Sequence, residues 1–393
     1  MEMPWKFKCV VGERLRLVNL ALKAHEPIAQ LSRVFGLSRP TIYKWIERFG
    51  EGGRRALRDG ARRPRRSPSR TTGRWVAAIR RWRRRRPHWG AKKIGAKLRQ
   101  RYARLEVPAV RTIARWLKKL KLVSRRRPRR SPQGPLVVTG PLSLPRRASE
   151  VWTVDFKGWF RTGDGQRVEP LTVRDLFSRY GLSVRLLPDQ SWRRVRAVFI
   201  GLFRRYGLPK VIRMDNGGPF ASTGPAKLSR LSAWWTVLGI GVEFIDPGHP
   251  EQNGAHEQFH RLLKAETTQP PSSTPRAQQR RIDRWLRIYN QERPHEALGQ
   301  KTPSQIYRRS ARRYRVSWPE PSYPLSWMTR RVRSNGQIRW QGRLRFIGEA
   351  FVGYRVGLKP RRGGERGVYF GGLGLGILRA SDAGGLRPSA YAR

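Results

Sequence analysis

Three acidic residues stand apart by their surroundings: Asp155 in Trp152-Thr153-Val154-Asp155-Phe156-Lys157-Gly158, Asp215 in Arg213-Met214-Asp215-Asn216-Gly217, and Glu257 in Asn253-Gly254-Ala255-His256-Glu257. Only 26 of the 393 residues are acidic, so a carboxylate inside an apolar run calls for a reason. Burying an unpaired carboxylate is costly, and a bound cation supplies the missing partner. Hard oxygen donors with open positions suit Mg2+ or Mn2+, and two such ions about 4 Å apart clamp both the attacking and the leaving oxygens of an in-line phosphoryl displacement. The chemistry expected of such a site is phosphodiester hydrolysis or transfer. Singly, each acid also has an ordinary reading. Asp215-Asn216-Gly217 is a common turn sequence, Glu257 suits a solvated helix face, and Asp155 suits a pair with a buried Arg.

The elements that must carry these acids can be read from periodicity. β-branched and aromatic runs over 151–159, 168–173 and 181–187 predict three successive strands. A helix over 192–206, a strand over 210–214, a helix over 228–238, a strand over 242–245 and helices over 254–266 and 277–289 follow. That order predicts a mixed sheet with helices on its faces, with Asp155 on a central strand, Asp215 at the end of its neighbour and Glu257 on a helix laid across them. Arg261 and Lys264 follow Glu257 by four and seven positions, so all three share one helix face and the cations are candidates for holding phosphates; a solvated face is the plain alternative. His249, Gln252, Asn253 and His256 lie in a Gly/Pro-rich approach loop, where DNA contact or local hydrogen bonding is expected rather than metal ligation. Asp175 and Asp246 are expected to serve turns.

The chain carries 85 Lys+Arg against its 26 acids, a formal net charge of +59, which points to a polyanionic partner. Duplex DNA or RNA fits best on charge, with double-stranded DNA the expected partner, and no apolar run of membrane-spanning length or signal peptide is read. One cysteine, Cys9, excludes an internal disulfide framework. Two trihelical patterns precede the acidic region. The first, in 1–55, predicts a helix-turn-helix with Ser38 as N-cap of a second helix at 39–49, presenting Arg39, Thr41, Tyr43 and Lys44 to DNA. After a basic linker at 56–73, the second occupies 74–124, with Arg111, Thr112 and Arg115 as groove candidates. A small helical bundle without base readout is the bland reading of either. An Arg/Pro-rich linker at 125–148 leads into the acidic region at 149–310. A linker at 311–328, short strands at 329–380 predicting a small antiparallel β-barrel, and a tail at 381–393 complete the expected organisation.

At its motifs the sequence resembles a known family. The run from Val151 to about Tyr307 looks like the integrase catalytic core of bacterial insertion-sequence transposases, nearest the IS481-like group. The motifs are Trp152-Thr153-x-Asp155-Phe156-Lys157-Gly158, the Asp215-Asn216-Gly217 box, Pro247-Gly248-His249-Pro250-x-x-Asn253-Gly254-x-x-Glu257, and Tyr289-Asn290-x-x-Arg293-Pro294-His295-x-x-Leu298. The resemblance implies a multidomain α/β chain: an RNase H-like core preceded by two helix-turn-helix domains and followed by a small β-barrel. It also implies a DDE triad on Asp155, Asp215 and Glu257 holding two Mg2+ or Mn2+ ions. The 42-position gap from Asp215 to Glu257 is longer than in retroviral integrases, and the extra residues are placed in a surface loop at 221–227. The function so implied is end cleavage and strand transfer by a dimer or higher assembly, in a bacterial, nucleoid-associated cytoplasmic setting, with Asn216 and Asn253 added to the DNA contacts. A non-catalytic DNA-binding regulator and a structure-selective nuclease are the rival readings.

Overall fold

The computed structural model describes residues 9–23, 26–60, 71–123, 142–246, 254–317, 320–381 and 384–387. The chain divides into two compact units, Met1–Thr71 and Thr72–Arg393.

The first unit packs α1 (Val10–Leu22), α2 (Ile28–Phe35) and α3 (Arg39–Ala56) around Leu17, Val18, Leu31, Ile42 and Trp45. The break between α2 and α3 is made by Gly36, at φ 64, which lets Leu37 N–H reach back to the Ser32 carbonyl. Ser38 stands at the N-cap of α3, but its hydroxyl meets the Thr41 hydroxyl at 2.8 Å instead of a backbone N–H. The helix also runs beyond its expected end. Gly52 and Gly53 bend it, and the turned chain delivers Leu57, expected to lie in a linker, fully buried into the core. Arg14 fixes that return by donating to the Leu57 carbonyl at 2.7 Å and pairing with Asp59 at 2.8 Å.

The second unit begins with another trihelical bundle, α4 (Gly73–Arg85), α5 (Ala91–Arg101) and α6 (Val110–Lys119). Its core is Trp75, Ile79, Trp89, Ile94, Leu98, Ile113 and Leu117, with Trp89 stacked on Trp82 at 5.8 Å.

The next region is the expected mixed sheet. Its strands are β1 (Val151–Phe156), β2 (Phe160–Arg161), β3 (Arg167–Asp175), β4 (Gly181–Leu187), β5 (Val211–Met214) and β6 (Gly241–Phe244). Strand β1 pairs antiparallel with β3 and parallel with β5, β5 pairs parallel with β6, and β4 adds antiparallel to β3. The single strand expected over 151–159 stops at Phe156, and the chain turns through Gly158 at φ 84 before β2. Parallel pairing requires crossovers, supplied by α7 (Trp192–Tyr206) and α8 (Arg230–Val237). Side chains alternate along β1, so Trp152 and Val154 enter a core with Phe199, Phe203 and Trp235 while Thr153 and Asp155 face the other side. That second face is covered by α9 (Gly254–Thr267) and α10 (Pro275–Gln291), which pack Phe259, Leu263, Ile282, Trp285 and Tyr289 against Val184. The α4–α6 bundle docks at the end of α10. Arg86 bonds Glu292 at 2.7 Å, Lys93 donates to the Pro294 carbonyl at 2.8 Å, and Lys92 pairs with Glu296.

The C-terminal strands are β7 (Met328–Arg331), β8 (Gln337–Trp340), β9 (Arg343–Phe346), β10 (Arg355–Pro360), β11 (Arg366–Phe370) and β12 (Leu373–Leu378). The expected closed barrel is not what they make. They form an open four-stranded sheet, β12-β11-β10-β7, and a separate β8-β9 hairpin. One apolar cluster, including Ile338, Trp340, Phe351, Val356, Val368 and Phe370, fills the space between the two layers, so the core is satisfied without ladder closure. Leu228 and Ala233 of the sheet region belong to the same cluster. The segment 221–227, expected as a free surface loop, is therefore tied to this junction by the Ala221–Leu228 bridge and the packing of Ala226.

Candidate active site and nucleic-acid interface

Asp155 is the fifth residue of β1 and stands opposite Thr172 of β3. On the other side, Thr153 is level with Arg213 of β5, so two residues further on Asp215 leaves that strand level with Asp155. Neighbouring strands lie about 4.8 Å apart, which makes these two carboxylates neighbours by backbone construction alone.

A polar clamp sets α9 over this corner. His256 Nδ1 meets the Thr153 hydroxyl at 2.9 Å, and the Nε2 atoms of His256 and His260 meet the Thr172 hydroxyl at 2.5 and 2.7 Å. Thr172 has one hydroxyl hydrogen, and it goes to the Asp155 carbonyl at 2.9 Å. Both Nε2 atoms must then be donors, which leaves His256 Nδ1 to accept from Thr153. Burial, first, with help from Lys157 and Arg174, pushes His260 down to about 3; burial and then His260 push His256 well below its usual value. The 3.8 Å approach of His260 Nδ1 to Asp155 Oδ2 is thus a contact of a neutral ring, not an ion pair. His256, expected in a loop and making DNA contact or local hydrogen bonds, lies instead within α9 and makes local hydrogen bonds.

Burial raises the Asp155 carboxyl to about 7, with Asp215 the next contributor and Glu257 a smaller one; Lys157 opposes them. Burial also raises Asp215, against a bond from Gly217 N–H at 3.2 Å. Glu257 is exposed on the first turn of α9, sharing its face with exposed Arg261 and Lys264. The donor set is all oxygen, crowded and mutually repelling, which suits a hard divalent cation. Among the described residues, no three acidic, His or Cys side chains already form a metal cage. Asp155 and Asp215 are juxtaposed by the strands, and Glu257 sits at the rim.

In the sequence Lys157 stands out only as part of the motif around Asp155. Burial lowers its pKa, with Lys264 contributing next and Asp155 opposing, so it forms a cationic flank with Lys264 beside the acids. Its signal was its place two residues after Asp155; the partner on α9 is what sequence alone did not supply. Asn216 donates to the Ile245 carbonyl at 2.6 Å, tying the Asp215 turn to the end of β6. Asn253, with His249 and Gln252, lies outside the described residues. Arg39, Tyr43 and Lys44 are exposed along α3, and Thr41 is half-buried. Arg111 and Arg115 are exposed along α6, and Thr112 is half-buried. Asp175 is fully buried, receiving Ser149 and Ser178 N–H groups at 2.8 Å each, a structural role as expected.

With this geometry in view, the comparisons with known proteins agree on a class. A helix-turn-helix domain family matches residues 13–65, a homeodomain-like domain family matches 41–117, and the integrase core domain family matches 238–303. These matches place helix-turn-helix-type domains ahead of an integrase core domain. The IS481 family transposase C-terminal domain matches 327–378, and these matches together make the chain similar to IS481-like insertion-sequence transposases with an integrase-type core. It is 32% identical to an uncharacterized 31.7 kDa protein of insertion element IS407 from Burkholderia multivorans, over 46% of this chain and 63% of that protein. It is 29% identical to an uncharacterized 39.2 kDa protein of insertion element IS476 from Xanthomonas euvesicatoria, over 51% and 55%. The chain thus spans less than two thirds of either relative. The HTLV-2 integrase catalytic core domain in complex with magnesium is similar at 18% identity over 42% of this chain and 99% of that one, with a TM-score of 0.34. The fold assignment rests on the strand order above and not on that likeness. No helix among the described residues is long and apolar enough to cross a membrane.

Proposed function

We propose that this chain is a metal-dependent DDE transposase that binds the terminal inverted repeats of an insertion sequence, cleaves its ends and joins the freed 3′-OH groups to target DNA. The observation that carries the reading is the pairing of Asp155 with Asp215 at the ends of parallel strands, where burial and the neighbouring carboxylates hold the Asp155 proton up to about pH 7. Asp155, Asp215 and Glu257 would hold two Mg2+ or Mn2+ ions. Such ions, when bound, lower the pKa of water and stabilise charge on the attacking and leaving oxygens of the phosphodiester. Asp155, held within strand β1, and Asp215, held just past the end of β5, provide a closely placed pair of donors, and Glu257 adds the third from α9. The His256 and His260 rings, held neutral by burial, keep α9 on β1 and take no part in proton transfer. Lys157, Arg261 and Lys264 hold backbone phosphates on the exposed flank.

Arg39, Thr41, Tyr43 and Lys44 on α3 and Arg111, Thr112 and Arg115 on α6 supply end recognition, with Asn216 and Asn253 close to the scissile strand. Two DNA ends have to be held together for joining, which calls for a homodimer or larger assembly on DNA, acting in the nucleoid of a bacterial cytoplasm. The test incubates purified protein with labelled terminal-repeat duplex and Mg2+ and looks for cleaved ends and for products joined to a second duplex. Asp155→Asn should abolish both and leave end binding intact. Binding without cleavage would leave a regulator, and cleavage without joining would leave a nuclease.

A further inference from the structure

A cavity of about 620 Å³ opens between α5 and the integrase core. Ala255, Gln258 and Leu262 of α9 line it, whereas Glu257, Arg261 and Lys264 follow a different stripe of the same helix, centred about 125° away at 100° per residue, and neither they nor Asp155 and Asp215 line the cavity. The cavity is therefore separate from the carboxylate corner. Four cationic side chains border it, Lys93, Arg174, Arg179 and Arg293, beside the His295 ring, which burial and then these cations keep neutral. Arg174 is 2% exposed and packs over the Phe259 ring at 5.1 Å. It donates one Nη1 bond to the Ala255 carbonyl, and its buried Nε has no partner among the described residues. The adjacent Asp175 is committed to Ser149 and Ser178. The buried Nε2 of His295 likewise lacks a partner.

Nearby acids neutralise only Arg293 of this group. Glu296 is taken by Lys92, and Glu266 accepts from Trp285 Nε1 and Arg293, each at 2.7 Å. Arg179, half-buried after β3, makes no ion pair with a described acid. A buried guanidinium without a counter-charge is costly, and planar donor forks are suited to phosphate oxygens.

We propose that this cavity is a phosphate-binding site in which Arg174, Arg179 and Arg293 of the core and Lys93 of the α4–α6 bundle grip one phosphate group. A DNA phosphodiester and free inorganic phosphate share that chemistry. Because Lys93 already bonds the Pro294 carbonyl, the occupied site fastens the bundle to the core and couples DNA contact to its placement. The site stands whether or not the carboxylates cut DNA, so its test omits metal.

The full chain is titrated with inorganic phosphate against chloride at fixed ionic strength, following the thermal midpoint. Arg179→Gln and Lys93→Gln should each weaken the saturable phosphate effect roughly tenfold, the scale of one charge-assisted bond. Arg193→Gln, an exposed change on α7 with the same loss of charge, should not. Phosphate-ethylation interference on terminal DNA then identifies the source. Loss of interference at one or two phosphates in Arg179→Gln assigns a DNA phosphodiester, and an unchanged pattern beside the lost phosphate effect assigns the free anion. The proposal is overturned if both variants retain wild-type phosphate affinity and the wild-type interference pattern.

Discussion

In the absence of metal, Asp155→Asn should stabilise the protein at alkaline pH. The Asp155 carboxyl is raised from 3.8 to about 7 by burial, then by Asp215. Roughly three pH units at about 1.36 kcal/mol each set a ceiling of about 4 kcal/mol. The side chain is 20% exposed, and water relaxation at such a site brings the expected effect to about 1–3 kcal/mol. The folded chain binds this proton more tightly than the unfolded chain does. The penalty is accordingly absent below about pH 4, grows as pH rises, and is complete above about pH 7. Asn has no charge to bury, so the difference between wild type and variant should be small near pH 4 and, at pH 8.5 in EDTA, the variant should be more stable. With roughly 2–4 °C per kcal/mol for a unit of this size, calorimetry resolves the difference. Adding Mg2+ at pH 8.5 should raise the wild-type midpoint and do much less for Asp155→Asn. If the variant is less stable at both pH values, or Mg2+ stabilises both proteins equally, the account of a crowded, cation-seeking carboxyl is wrong.

Further outcomes follow from the packing. Gly181→Ala places a Cβ 2.5 Å from Leu286 Cδ1 and 3.4 Å from the Phe259 ring, and urea denaturation should show a loss of about 1–3 kcal/mol. Arg261→Gln and Lys264→Gln should each lower the salt slope of end binding by about one, read by fluorescence anisotropy, with little change in stability. Glu292→Ala removes the partner of Arg86; global stability should fall by less than about 1 kcal/mol, while amide exchange in α5 should rise as the bundle loosens from the core. Unchanged exchange would mean that this contact does not hold the bundle.

How far the sequence discloses this molecule depends on how local each signal is. Strand β4 and helix α7 fall on their expected residues because their patterns are continuous and sharply bounded. Asp155 and Asp215 are legible because each sits at or just past the end of a short apolar strand. The Thr153, Thr172, His256 and His260 clamp was not, since it joins residues 84 to 103 positions apart. Short strands with turn residues between them announced the C-terminal module correctly, but ladder closure depends on which strands pair, and no local pattern states that. Leu57 was misplaced because a basic neighbourhood concealed one apolar residue that a double-glycine bend returns to the core.

The apolar cluster shared by Leu228, Ala233 and the C-terminal strands has a consequence for how this chain can be dissected. Cutting after residue 317 would strip the cover from α8 and leave a greasy patch beside the Asp215 turn. Such a fragment should self-associate. The length inserted between the second and third acids thus behaves as a graft joint, and exchanging the C-terminal module with that of a relative would require carrying residues 221–237 along with it.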